Sequence, residues 1–344
     1  MALKYLNKKK RKRFWKYYER AEIKDFRKVW EITQSFISED EIPFEFSKKG
    51  RKPNLTKIEY VCMSVLYAYF DLDFRETEHL LPLLINKNLD HSNCVRWFGK
   101  LTVNYVNDLV FKVHKKIIGI NDAGDYIVDS TKATCDRLKI INKAGEDLLY
   151  HITWKLHILV QYIFTLGLIS IVSVWSSDGD TSDSPALRNK LLKKNKIQNG
   201  KRCHADKGYF GKANIEKCKK CKIIPNIVPK EEDYSDNYLK KYINKEYNNE
   251  SRKKNRGLIE GVFGGLETET DMKIRCRKEH HRNIYLCLMA LKHNLRTYMR
   301  ATLMLIKVYF APTPLALIVL YKNACNFPSF PLHISPFFAF KIPS

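Results

Sequence analysis

Asp125-Tyr126-Ile127-Val128-Asp129-Ser130-Thr131 is the stretch on which the fold turns. Its β-branched and aromatic residues predict a buried core strand over 124–131. Asp129 ends that run, where packing alone asks for no acid. Two later stretches share the feature. In His204-Ala205-Asp206-Lys207-Gly208-Tyr209 an acid sits between a short strand-like run and a Gly-Tyr turn. In Asn255-Arg256-Gly257-Leu258-Ile259-Glu260-Gly261-Val262-Phe263 an acid is flanked by apolar residues on a predicted helix. Carboxylates gathered from such distant positions repel one another unless a cation lies between them, and hard divalent cations prefer oxygen ligands.

Working outward, strands are predicted over 150–163 and 168–175, joined through Gly167 as a hairpin. Ser184-Pro185 starts a helix through Leu187, Leu191 and Leu192, since Pro suits a first helical turn. A short strand follows over 203–206, then a helix over 213–221 and a last strand over 223–228. Residues 230–254 are charged, rich in Tyr and Asn and without clear period, and are expected as an exposed insertion or flexible link. Helix returns at 255–266, with Ile259, Phe263 and Leu266 on one face, and again at 282–299. A hairpin followed by strands crossed by helices indicates an α/β fold, a mixed sheet flanked by helices.

Upstream, residues 54–118 are helical in pattern. Thr56 caps one helix, Arg75-Glu76-Thr77-Glu78 opens another, and a turn over 88–93 leads to a short helix over 94–101 bearing Arg96 and Lys100. Helix, tight turn and basic helix suit a helix-turn-helix DNA reader, and equally any small helical bundle. The cation run Lys8–Arg13, followed by aromatic residues, suits a phosphate-tracking arm or a solvated helix face. Beyond Arg300 the chain is apolar and rich in Pro and Phe, without period.

Composition narrows the chemistry. With 61 Lys and Arg against 37 Asp and Glu, the net charge of +24 draws polyanions, nucleic acid first. A phosphodiester is then the natural substrate of an acid constellation. The nine cysteines are scattered and the basic start lacks the apolar core of a secretory signal, so an intracellular, reducing location in cytoplasm or nucleoid is expected. Cys218-Lys219-Lys220-Cys221, with Cys203 and His204 upstream, is a lone CxxC and a weak zinc signal. The apolar stretches 157–175 and 303–321 are broken by Gly167, Lys307, Pro312 and Pro314, which argues against a membrane span.

Other polar residues have ordinary readings. Asp136 is expected at the surface, and Asp178 and Asp180 in turn chemistry. Lys155 and His157 are two apart on a strand and share a face. Arg256 and Glu260 form an i,i+4 pair. Tyr209 either stacks on DNA or closes its turn. Glu267, two helical turns past Glu260, is the credible substitute for it.

Taken in order, Tyr126-Ile127-Val128-Asp129-Ser130-Thr131, Trp154-Lys155-Leu156-His157, Asp183-Ser184, Ala205-Asp206-Lys207-Gly208-Tyr209 and Arg256 through Phe263 resemble insertion-sequence transposases of the DDE class. The resemblance covers residues 120–300 and implies a ribonuclease-H-like core. It implies Asp129, Asp206 and Glu260 as catalytic and metal-binding residues, with Asp129 bridging two Mg²⁺ ions and Mn²⁺ as the substitute ion. It places Lys155 and His157 on the neighbouring strand and Asp183 at the site's edge, with Arg256 supporting Glu260 or touching DNA. Some relatives carry Tyr three residues before the Arg and Lys seven after the Glu; here these positions are Lys253 and Glu267. The implied function binds terminal inverted repeats in double-stranded DNA, cleaves at the element ends and joins 3′ ends to target DNA, as a homodimer on paired ends. A nuclease of the same descent without joining activity, or a DNA-binding protein with a decayed core, are the alternatives. The expected organisation is a basic helical DNA-binding region over 1–118, carrying Arg96 and Lys100, a catalytic domain over 119–300 and a tail over 301–344 of no assigned role.

Overall fold

The structure is a computed structural model. It describes residues 25–47, 49, 52–119, 123–141, 147–164, 166–230, 236–270 and 272–309. The cation run Lys8–Arg13 and the tail beyond 309 lie outside the described residues, as does the side chain of Asp136. Residues up to Ala301 belong to one compact unit and Thr302–Ser344 to a second. Among the described residues no helix is long and apolar enough to cross a membrane.

Among the described residues, five α-helices precede the sheet: α1 (Phe26–Phe36), α2 (Lys57–Tyr69), α3 (Phe74–Ile85), α4 (His91–Phe98) and α5 (Val103–Ile118). Thr56 starts α2 as expected. Its hydroxyl accepts from Glu59 N while the Glu59 carboxylate accepts from Thr56 N, a reciprocal cap. Asp73 and Glu76 repeat the device at α3. From Tyr60 to Tyr69 every residue of α2 is buried, which makes it the central helix of this region.

The sheet is ordered β3-β2-β1-β4-β5, with β6 (Lys273–Ile274) pairing on β1 (Ala123–Ile141). β1, β2 (Asp147–Ile163) and β3 (Leu168–Asp178) are antiparallel, whereas β4 (Arg202–Ala205) and β5 (Ile224–Ile227) continue in parallel. This is the mixed, helix-flanked α/β sheet of the ribonuclease-H-like fold. The predicted hairpin turns at Gly167, whose φ of +64° is a conformation glycine adopts without strain. At β3, Asn107 of α5 accepts from Val174 N, and Asn294 of α10 (Glu279–Tyr309) both accepts from Ile171 N and donates to Ile171 O. Side-chain amides from two helices thus satisfy backbone groups of a sheet-edge strand, which keeps that edge from pairing elsewhere.

Three expectations need correction. β1 does not stop at Thr131 but runs ten residues further, because β2 pairs with it throughout, from Ala123↔Ile163 to Ile141↔Asp147. The helix from Ser184-Pro185 has only the α-helical turn α6 (Asp183–Ala186) before a π-helical turn over Leu187–Leu191, although its leucines are buried as expected. The charged segment 230–254 is not a featureless insertion. Beyond residues 231–235, which are not described, lie α8 (Asn237–Lys245), following α7 (Lys212–Lys220), and the start of α9 (Asn249–Thr270). Leu239 and Tyr242, three apart, bury one face of α8, and the Tyr242 hydroxyl donates to Ile227 O and accepts from Ile227 N. Two apolar anchors amid many charges suffice to dock a helix on the end of β5.

Candidate active site

β1 and β4 run parallel with Tyr126 opposite Cys203 and Ile127 opposite His204. Asp206 keeps an extended backbone (φ −77°, ψ 169°), so the register carries two residues further and sets Asp129 beside Asp206. β4 ends there in a single turn over Lys207–Tyr209, which leaves the Asp206 carboxylate clear of its own chain. Asp129, Asp206, Arg252, Arg256 and Ile259 line one pocket, floored by Ile127 through Val128 and His204 through Ala205. Helix α9 covers this face, with Ile259, Val262, Phe263 and Leu266 buried.

The pocket is electrostatically tense at Asp129. Burial, with the neighbouring carboxylates of Asp206 and Asp183, pushes its pKa up to about 6, against the opposing pull of Ser130 N–H and Arg256. Asp206 has a direct counter-charge: Arg252 Nη2 lies 2.6 Å from its Oδ1. Glu260 accepts from Arg256 Nε at 3.2 Å, and both side chains are more than half exposed. Glu260 follows Ile259 on α9 but does not itself line the pocket. Glu267 sits further along, accepting from Thr131 Oγ1 at 3.3 Å.

On the opposite face of β1 lies a second polar cluster. Strand alternation turns Ser130 away from Asp129, and Ser130 is paired with His157 of β2. Asp183 Oδ1 is its hub: it accepts from Ser130 Oγ at 3.0 Å and from Lys155 Nζ at 3.3 Å, and stands 3.6 Å from His157 Nδ1. Lys155 also donates to Thr181 O. His157 Nε2 is hydrogen-bonded to Ser177 Oγ at 2.8 Å, and burial lowers its pKa to about 4. Lys155 and His157 therefore do share a face on the strand beside Asp129, and that face is the one away from α9.

Tyr209 is 1% exposed, which favours the second of its two readings, closing the turn, over stacking on DNA. Its hydroxyl has no partner in hydrogen-bonding geometry, and burial together with Asp183 and Asp129 drives its pKa up. It closes the turn and backs both acidic groups. Arg252 and Ser130 are site residues that sequence reasoning missed. The signal for Arg252 was helical spacing, four before Arg256 and eight before Glu260.

Elsewhere, Arg96 lies with its guanidinium 5.7 Å from the Trp97 ring centre. Lys100 is exposed, but α4 ends at Phe98, so Lys100 stands on the turn after the helix rather than on it. Cys203, Cys218 and Cys221 are buried in an apolar core cluster, and His204 is engaged by Asp125 and Asn226. Among the described residues Glu78, Asp90 and His91 are the group of three or more ligand-type side chains whose atoms lie within 4.8 Å of one another; neither these cysteines nor Asp129, Asp206 and Glu260 form such a group.

The donor chemistry at the pocket fits a hard divalent cation. Its acids, Asp129 and Asp206, are carboxylates, and Asp129 is driven toward protonation by burial first and by like-charged neighbours second, a strain a cation would relieve. Comparison with protein families finds that the model described as Transposase DDE domain matches residues 121–295, just over half of the 344-residue chain. No curated protein matches the chain.

Proposed function

The chain belongs to the transposase DDE-domain family, whose members generally use divalent metal ions, and from that premise we propose that it binds the terminal inverted repeats of its element, cleaves DNA at the ends and joins the freed 3′ ends to target DNA. The observation that carries this reading is the placement of Asp129 on β1 beside Asp206, one residue past the end of the parallel strand β4, both lining a pocket that α9 supplies with arginines. Asp129, Asp206 and Glu260 would hold Mg²⁺, or Mn²⁺ in its place, as a pair of ions that when bound supply activation of the attacking hydroxyl and stabilisation of the leaving 3′ oxygen. Arg256 holds the Glu260 carboxylate through its Nε and leaves guanidinium donors for phosphate. Asp183, Lys155, His157 and Ser130 brace the strand from behind. In this reading the region over 1–118, Arg96 and Lys100 included, engages the DNA, residues 119–300 carry the chemistry, and two copies act on paired ends.

The test is cleavage and strand transfer on DNA bearing the element ends, in Mg²⁺ and in Mn²⁺. Loss of both reactions in Asp129→Ala, Asp206→Ala and Glu260→Ala, with duplex binding retained, supports the assignment. Cutting that persists in all three variants rejects it. Cleavage without joining in the unmodified protein points instead to a nuclease, and salt-sensitive binding without either reaction to a protein with an inactive core.

A further inference from the structure

We propose that Arg252 is a phosphate-released latch: its guanidinium neutralises Asp206 until a DNA phosphate draws it away, so that loading of a divalent cation at Asp206 is coupled to arrival of DNA. The inference rests on the reading of Asp206 as a metal ligand.

The contact has the properties of a latch rather than of a helix-surface pair. Arg252 Nη2 meets Asp206 Oδ1 at 2.6 Å across 46 residues of chain. The arginine side chain is 18% exposed, against 56% for Arg256 in its pair with Glu260 one turn on. Arg252 lines the same pocket as Asp129 and Asp206, so its charge stands inside the candidate site. Asp206 makes no capping bond to the turn that follows it, and its ion-pair partner is Arg252.

The guanidinium occupies one acceptor site on Asp206, at Oδ1, and its positive charge at this distance opposes a cation on the same carboxylate. The guanidinium fork is matched equally well by a phosphate, which it grips through two parallel N–H donors. Arg252 lies in the first turn of the helix that covers the pocket. A phosphodiester entering the pocket therefore offers Arg252 a second partner while freeing Asp206 Oδ1. The coupling is reciprocal by thermodynamic necessity: what DNA does for the cation, the cation does for DNA.

Mn²⁺ binding to the full-length protein, followed by the paramagnetic resonance of the free ion with and without a duplex at fixed salt, tests this. The unmodified protein is expected to bind Mn²⁺ weakly alone and more tightly with duplex. Arg252→Gln is expected to bind Mn²⁺ about tenfold more tightly without DNA, and the duplex then adds nothing. Arg252→Met is expected to match it and stands in if the first variant does not fold. Unchanged or weakened DNA-free binding in either folded variant, or a duplex effect that survives, overturns the latch. Asp206→Asn separates the two failures. Mn²⁺ binding untouched by it overturns the metal-ligand reading itself, whereas binding lost in Asp206→Asn but unmoved in Arg252→Gln overturns the latch alone.

Discussion

Ser130 Oγ donates to Asp183 Oδ1 at 3.0 Å, one residue past Asp129 and on the other face of the same strand. The strand that presents the candidate acid is thus pinned from behind by a carboxylate that also holds Lys155 at 3.3 Å. The two polar clusters sit back to back across β1, and Asp129 feels charge from both, Asp206 on one side and Asp183 on the other.

Asp183→Ala is expected to destabilise the fold by about 1–3 kcal/mol, because it strips the half-buried Lys155 of its carboxylate and Ser130 of its acceptor. Asp183→Asn keeps an acceptor and costs less. Urea denaturation of the two variants against the unmodified protein measures the order. An alanine variant as stable as the original contradicts the bracing role.

Asp129 gives stability a pH signature. Its folded pKa of about 6 lies above the ordinary carboxylate value near 4, so the folded state binds the extra proton between these values. That contribution is fully present below about pH 4 and is lost as pH rises through 6. Asp129→Asn removes it and is expected to gain roughly 1–3 kcal/mol over the unmodified protein at pH 7, with little difference at pH 4. His157, held neutral down to about pH 4, tilts the same window the other way, but equally in both proteins. Denaturation curves at the two pH values decide it; a gain of equal size at both is the contrary result.

Glu260 and Glu267 are separable by function. Glu260→Gln breaks an exposed pair worth about 0.3–0.5 kcal/mol, so the fold is expected to be nearly unmoved while DNA cleavage falls by more than about a hundredfold. Glu267→Gln disturbs the contact with Thr131 and is expected to keep cleavage within about threefold. Single-turnover rates compare them. The reverse ranking moves the third acid to Glu267.

Lys100, exposed on its turn, is expected to act as a single phosphate contact. Lys100→Ala should weaken duplex binding for all sequences alike and reduce the slope of log affinity against log salt by about one. Arg96→Ala additionally loses packing on Trp97, so its cost extends to stability. Binding titrations over a range of salt test both. An unaltered slope in Lys100→Ala removes it from the interface.

The segments that carry strong local signals were legible from the chain alone. The β-branched run ending at Asp129, the Gly167 hairpin, the Thr56 cap and the apolar face of α9 each specify their element through nearest neighbours. The far half of β1 and the helix α8 were not legible, because their signals are diluted by charge. Lys132 through Ile141 is a strand because β2 pairs with it, and α8 is docked by two residues, Leu239 and Tyr242.

Sequence alone thus settled which acids occur in which kind of element, since type and spacing are local properties. It could not settle their partners, which depend on strand register and on helix rotation over the sheet. Tertiary structure alone set Asp129 against Asp206, turned Ser130, Lys155 and His157 to the opposite face, buried Tyr209 and laid Arg252 on a carboxylate 46 residues away. Those relations are long-range electrostatics and packing, and they come into being only when the sheet closes and α9 covers it.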